Sequence, residues 1–133
     1  MSEINYAIQL ESLATESDFA EQSGALVESW VSAGVGRDAV RPILQFMEEH
    51  PTIDFGLPGP LVHFTERFYG NGYEQELLLS IQRRPTQHTV WMLNRLINGT
   101  RDGATKRQYI AVLESANKIE GADQNTRAKD RMS

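Results

Sequence analysis

An all-α fold of about seven helices is predicted by three features of this 133-residue sequence. Apolar residues recur at helical spacing in one segment after another. No segment sustains the alternation of a strand. The breaks are short and marked by Pro, Gly or Asn-Gly. Pro85–Gly99 shows all three most clearly, with Pro-Thr at its entrance and Asn-Gly at its exit. At roughly 100° per residue, Val90, Met92, Leu93, Leu96 and Ile97 cover one broad face. Gln87, His88, Asn94, Arg95 and Asn98 take the other with Trp91 among them, so this helix is expected to have neighbours on both sides.

In chain order, the first helix runs from Asn5 to about Ala14, with Ile4, Ala7, Ile8 and Leu10 or Leu13 expected inside. Asp18 and Glu21 have capping-box spacing for the second. Its stripe is Phe19, Leu26, Val27 and Trp30, with Glu21 and Glu28 outward. Gly24 weakens its middle by ~1 kcal/mol relative to alanine, which predicts a kink or a close helix contact. Gly34-Val35-Gly36 is a turn. A third helix begins near Asp38 or Arg41, because Pro42 is tolerated only in a first turn. It carries Val40, Ile43, Leu44, Phe46 and Met47, and it ends in Glu48-Glu49-His50 before Pro51.

Pro51–Pro60 holds three prolines and two glycines, which forbid a helix. Ile53, Phe55 and Leu57 are expected to tuck onto the helices, with Asp54 at the tip. Pro60 opens a fourth helix with Leu61, Phe64 and Phe68 in one row, and Gly70-Asn71-Gly72 ends it. Tyr73 to Arg83 or Arg84 forms a fifth, burying Leu77, Leu78 and Ile81, with Leu79 against another neighbour. After the Pro85 helix, Arg101-Asp102-Gly103 leads to a seventh with Tyr109, Ile110, Val112, Leu113 and Ala116 inside. Residues 1–118 are read as a single domain and 119–133 as a polar, disordered tail. Val62-His63-Phe64…Arg67-Phe68 echoes Val90-Trp91-Met92…Arg95-Leu96 at an offset of 28. The echo suggests antiparallel helical pairs in a HEAT- or armadillo-like stack, an irregular bundle being the alternative.

The absence of cysteine excludes disulfides, zinc–thiolate sites, iron–sulfur clusters and thiol nucleophiles. The N-terminus shows no signal peptide, and no stretch approaches the ~20 apolar residues of a membrane span, so a cytoplasmic protein with no membrane partner is expected. His50, His63 and His88 lack the spacing of paired ligands on one helix face, and no metal site or cofactor is expected. No nucleophile elbow, phosphate-cradling loop or dinucleotide fingerprint is present, so no catalytic residue is assigned. Arg83, Arg84, Arg95, Arg101, Lys106 and Arg107 crowd the late helices. The acidic total of −5 argues against nucleic acid, and these bases are expected to pair with acids of neighbouring helices. Trp91 and Arg95 have the chemistry of interface anchors, but a structural role is preferred, with the nearby amides on loop carbonyls.

Charge is uneven. Residues 1–60 hold ten acids and two bases, a formal −8, whereas the remainder is +3. An acidic half suits a basic partner. Glu48 and Glu49 also oppose the dipole at a helix C-terminus, a misfit of a few tenths of a kcal/mol each. Glu28, Glu48, Glu49 and Asp54 are therefore the candidate partner-binding residues.

The run Gly-Pro-Leu-Val-His-Phe-Thr-Glu-Arg-Phe-Tyr, followed by Arg-Arg-Pro-Thr-Gln-His-Thr-Val-Trp-Met-Leu-Asn-Arg-Leu-Ile-Asn, resembles small bacterial immunity proteins of polymorphic toxin systems. These occur in contact-dependent inhibition and type VI secretion neighbourhoods. The likeness covers about residues 59–117 and leaves the acidic first half unmatched. It implies a cytoplasmic, non-enzymatic protein that binds and neutralises one cognate toxin domain. Many such toxins are nucleases with basic clefts. The alternative is a helical-repeat adaptor with no toxin partner.

Overall fold

The structure is a computed structural model that describes the backbone of residues 5–56 and 58–132, and side chains within those ranges as far as residue 117. The described chain is helical and contains no strand. Its α-helices are α1 (Tyr6–Glu11), α2 (Phe19–Ser32), α3 (Val40–Glu49), α4 (Pro60–Glu66), α5 (Tyr73–Arg83), α6 (Gln87–Gly99) and α7 (Gly103–Met132), with a 3-10 turn at Arg37–Ala39. The seven helices fall into two units, Met1–Glu76 and Leu77–Ser133, with α5 crossing the boundary.

In the first unit α1 packs on α3, and α2 packs on α4. Alternate helices are thus the principal partners in this unit. Asn5 starts α1 by accepting the Ile8 N–H at 3.0 Å. The inward face of α1 is rotated from the expected one. Leu10 is fully buried, but Ala7 is exposed and Ile8 is 65% exposed. Ile4 lies outside the described residues. Tyr6 and Gln9 turn inward because both serve Trp30. The Tyr6 and Trp30 rings meet edge-on at 5.3 Å, and the indole N–H donates to Gln9 Oε1 at 2.7 Å.

Asp18 does not cap α2 with its side chain, as its spacing to Glu21 predicts; its carboxylate accepts from the Gln22 amide one turn on. The other end of α2 closes cleanly. Gly34 takes φ +76°, Gly34 N–H bonds Val31 O, and Val35 N–H reaches back to Trp30 O at 2.9 Å. That is a full Schellman closure. Gly24 marks a close helix contact, since a Cβ there would sit 3.4 Å from the Pro60 ring that opens α4. Phe19 and Trp30 are buried, along with Val40, Ile43, Leu44, Phe46 and Met47 of α3 and Leu61, Val62 and Phe64 of α4. Phe68, expected in the α4 row, lies beyond the helix and is half-buried.

Tyr6 also ties α1 to the 3-10 turn, its hydroxyl donating to Asp38 Oδ2 at 2.8 Å. Desolvation first, and then the bond and charge of Asp38, raise the phenol from 10.0 to about 12. A raised acid favours the neutral form in the folded chain. The stabilisation is therefore complete below the unfolded pKa of 10.0 and is lost as pH climbs through about 12. In urea titrations, the stability gap between wild type and Tyr6→Phe is expected to be widest below that window and to close across it. A gap independent of pH across that window would contradict this assignment.

The second unit takes Leu77, Ser80 and Ile81 of α5 as buried positions, whereas Leu79 is exposed rather than covered by a neighbour. Thr86 caps α6 reciprocally with Thr89: Thr89 N–H donates to Thr86 Oγ1 at 3.1 Å, and Thr86 N–H to Thr89 Oγ1 at 3.2 Å. Val90, Met92, Leu93, Leu96 and Ile97 are all buried, as the periodicity predicts. α6 packs on α7, whose Tyr109 and Ala116 are buried and whose Ile110, Val112 and Leu113 are half-buried. Asp102 opens α7 by accepting both the hydroxyl and the N–H of Thr105, and these bonds hold its carboxyl below its usual range. The expected disordered tail, 119–133, has its backbone in α7 as far as Met132, and its side chains lie outside the described residues.

Candidate functional site

The acidic surface of the first unit is built on an aromatic cluster. Phe46, in the last turn of α3, stacks on Phe19 of α2 with centroids 5.5 Å apart and planes 10° apart. Phe55 meets both rings edge-on, at 5.5 and 6.1 Å, and is itself buried. This fixes the Pro51–Pro60 connector against the helices, as the alternation of Ile53, Phe55 and Leu57 predicts. Ile53 is half-buried, and Leu57 lies outside the described residues.

At the end of α3 the chain leaves the helix at His50, with φ −128° and ψ 62°. Its ring lies 4.4 Å from the Phe46 centroid, and its Nε2 sits 2.7 Å from Glu11 Oε1, the last residue of α1. Glu49 stands beside them and is exposed. One ligand atom from each of Glu11, Glu49 and His50 lies within 4.8 Å of the others. The C-terminal ends of two helices meet here. Both ends carry the partial negative charge of a helix C-terminus. Among the described residues, no lysine or arginine forms an ion pair with Glu11 or Glu49.

The four sequence candidates do not behave alike. Glu49 is exposed in this cluster. Glu48, its neighbour, is only 8% exposed, so the expectation that both acids are displayed together is corrected. Glu48 follows the fully buried Leu44 by four positions, which puts it near the apolar face of α3. Asp54 is exposed at the loop tip, but one oxygen accepts the Gly56 N–H at 2.9 Å and shapes the turn. Glu28 is exposed on α2, and its carboxylate makes no hydrogen bond or ion pair among the described residues. Glu11 and His50 escaped the sequence reading. His50 was legible as the end of its helix, but the sequence carries the first helix past Glu11 to about Ala14, and 39 positions separate the two.

Elsewhere some charges are locally engaged and others are not. A groove lined by Arg37, Asp38, Val40, Pro42, Gly72 and Gln75 also holds Arg41 and Glu76, which join through two bonds of 2.7 and 3.0 Å. His63 and Glu66 approach to 3.8 Å, in line with their spacing. On α6, Arg95 covers the Trp91 ring at 5.3 Å and His88 flanks it at 5.6 Å. Asn94 donates to Val90 O on its own helix rather than to a loop carbonyl. Arg84, Arg101, Lys106 and Arg107 are exposed and form no ion pair among the described residues, contrary to the pairing expected of them.

The unit boundary sharpens the charge asymmetry. Met1–Glu76 holds thirteen acids and three bases, a formal −10, and Leu77–Ser133 holds ten bases and five acids, a formal +5. Among the described residues, no helix is long and apolar enough to cross a membrane. No protein-family model, curated protein or solved structure matches the chain.

Proposed function

We propose that this chain is an immunity protein: a non-catalytic, cytoplasmic domain that binds and neutralises a cognate toxin domain carrying a basic surface. The observation that carries this reading is the formal −10 of the first unit, with Glu28, Glu49 and Asp54 exposed on it. A field of that sign repels nucleic acid and draws a basic protein into encounter. The resemblance carried by residues 59–117 supports the choice of family, and the acidic first unit supports this mode of binding. Covering a basic cleft with fixed carboxylates neutralises the toxin without any chemical step.

Co-expression with the toxin encoded in the adjacent gene is expected to rescue growth and to yield a complex that survives gel filtration. In stopped-flow mixing, the triple variant Glu28→Lys, Glu49→Lys, Asp54→Lys is expected to associate at least about tenfold more slowly at low salt. That difference should shrink as salt screens the field. Killing that persists on co-expression, with no complex formed, would remove the toxin reading. A stable complex with a housekeeping protein would replace it with the adaptor.

A further inference from the structure

We propose that Glu11, Glu49 and His50 form a binding site for a divalent transition-metal ion of the zinc class. The inference stands apart from the partner reading above, since it needs only the first unit to be folded. Three potential ligand atoms, two carboxylate oxygens and one ring nitrogen, already lie within 4.8 Å of one another. A single ion at ligand distances of about 2.0–2.2 Å holds its ligand atoms no more than about 4.4 Å apart, so the two exposed glutamate side chains draw in by a few tenths of an ångström to close on it.

The donor set selects the ion. An imidazole with two carboxylates suits zinc, nickel or cobalt, whereas magnesium and calcium prefer oxygen alone. Electrostatics favour a cation too. Two glutamates sit at two convergent helix C-termini, and no described lysine or arginine offsets them. Packing also limits what must be ordered on binding. The His50 ring lies against Phe46, which stacks on Phe19, so its orientation is set by the core rather than by the ion. The Nε2–Glu11 contact of 2.7 Å already holds two of the three ligands together. On binding, that bond is exchanged for two bonds to the ion, and any proton on the imidazole is released. Three protein ligands leave at least one coordination position open to water.

The test is isothermal titration of the full, untagged chain with zinc chloride, repeated with magnesium chloride. One zinc per chain in the micromolar range is expected, with magnesium at least about tenfold weaker. Glu49→Gln is the sharpest variant, because that side chain is exposed and makes no hydrogen bond or ion pair among the described residues, so the variant keeps its structure. It should lose at least about tenfold in affinity, and His50→Ala more, while His63→Ala should match wild type. Absence of zinc binding at millimolar concentration would overturn the proposal. So would zinc affinity unchanged by Glu49→Gln and His50→Ala.

Discussion

Replacing Trp30 with alanine is expected to destabilise the protein by about 3–5 kcal/mol, the range for deleting a large buried aromatic. The indole is 1% exposed. Its ring meets Tyr6 at 5.3 Å and Phe64 at 5.7 Å, both edge-on, and its N–H donates to Gln9. One side chain thus joins residues of α1, α2 and α4. The substitution opens a cavity and leaves the Gln9 carbonyl without its donor. A domain has only about 5–15 kcal/mol in total, so the loss is a large fraction of what holds the fold. Trp30→Phe separates the two effects. It keeps most of the ring and loses the donor, at about 1–3 kcal/mol. Urea unfolding followed by circular dichroism measures both variants. Trp91 remains the only other tryptophan, so fluorescence of Trp30→Ala reports on the second unit alone. A midpoint equal to that of wild type would refute the central placement of Trp30.

Gly59→Ala is the second large effect, expected at about 3 kcal/mol or more from enforced backbone strain and displacement. Gly59 has φ +86°, and a Cβ there would collide with the Phe55 carbonyl oxygen and lie 2.8 Å from its carbon. The obstacle is backbone, and it cannot swing aside as a side chain would. Phe55 is also locked between Phe19 and Phe46, so relief of the clash must disturb the aromatic cluster. Gly34→Ala is the control. It shares the left-handed backbone, φ +76°, but a Cβ there meets nothing within 4 Å. The expected cost is that of the dihedral alone, about 1–2 kcal/mol. Equal losses for the two variants, measured by the same urea titration, would show that the collision is absent.

The contrast between α6 and α1 shows what was legible in the sequence. α6 was read correctly along its buried face because its determinants are local: a strong period, a threonine cap and a short turn. α1 has the same kind of pattern over only six residues, and its inward face is decided by Trp30, far along the chain. Tyr6 and Gln9 look like surface residues until that ring is placed. Glu48 failed for a related reason. Its position at a helix end suggested display, but the apolar face of α3 extends one residue further than the hydrophobic residues themselves. The Glu11–His50 contact required the packing of α1 on α3, which no spacing rule encodes. The overall acidity of the first half needed no structure at all.

The loop that carries Asp54 has one more consequence. Its turn is held by the aspartate itself, and its centre is pinned by Phe55. Its conformational freedom is surrendered when the protein folds, not when it meets another molecule. Contacts made through Asp54 should therefore be those of a lock already cut. Their thermodynamic signature is a small entropic penalty on docking, and their kinetic signature is a long residence time rather than a slow, induced closure.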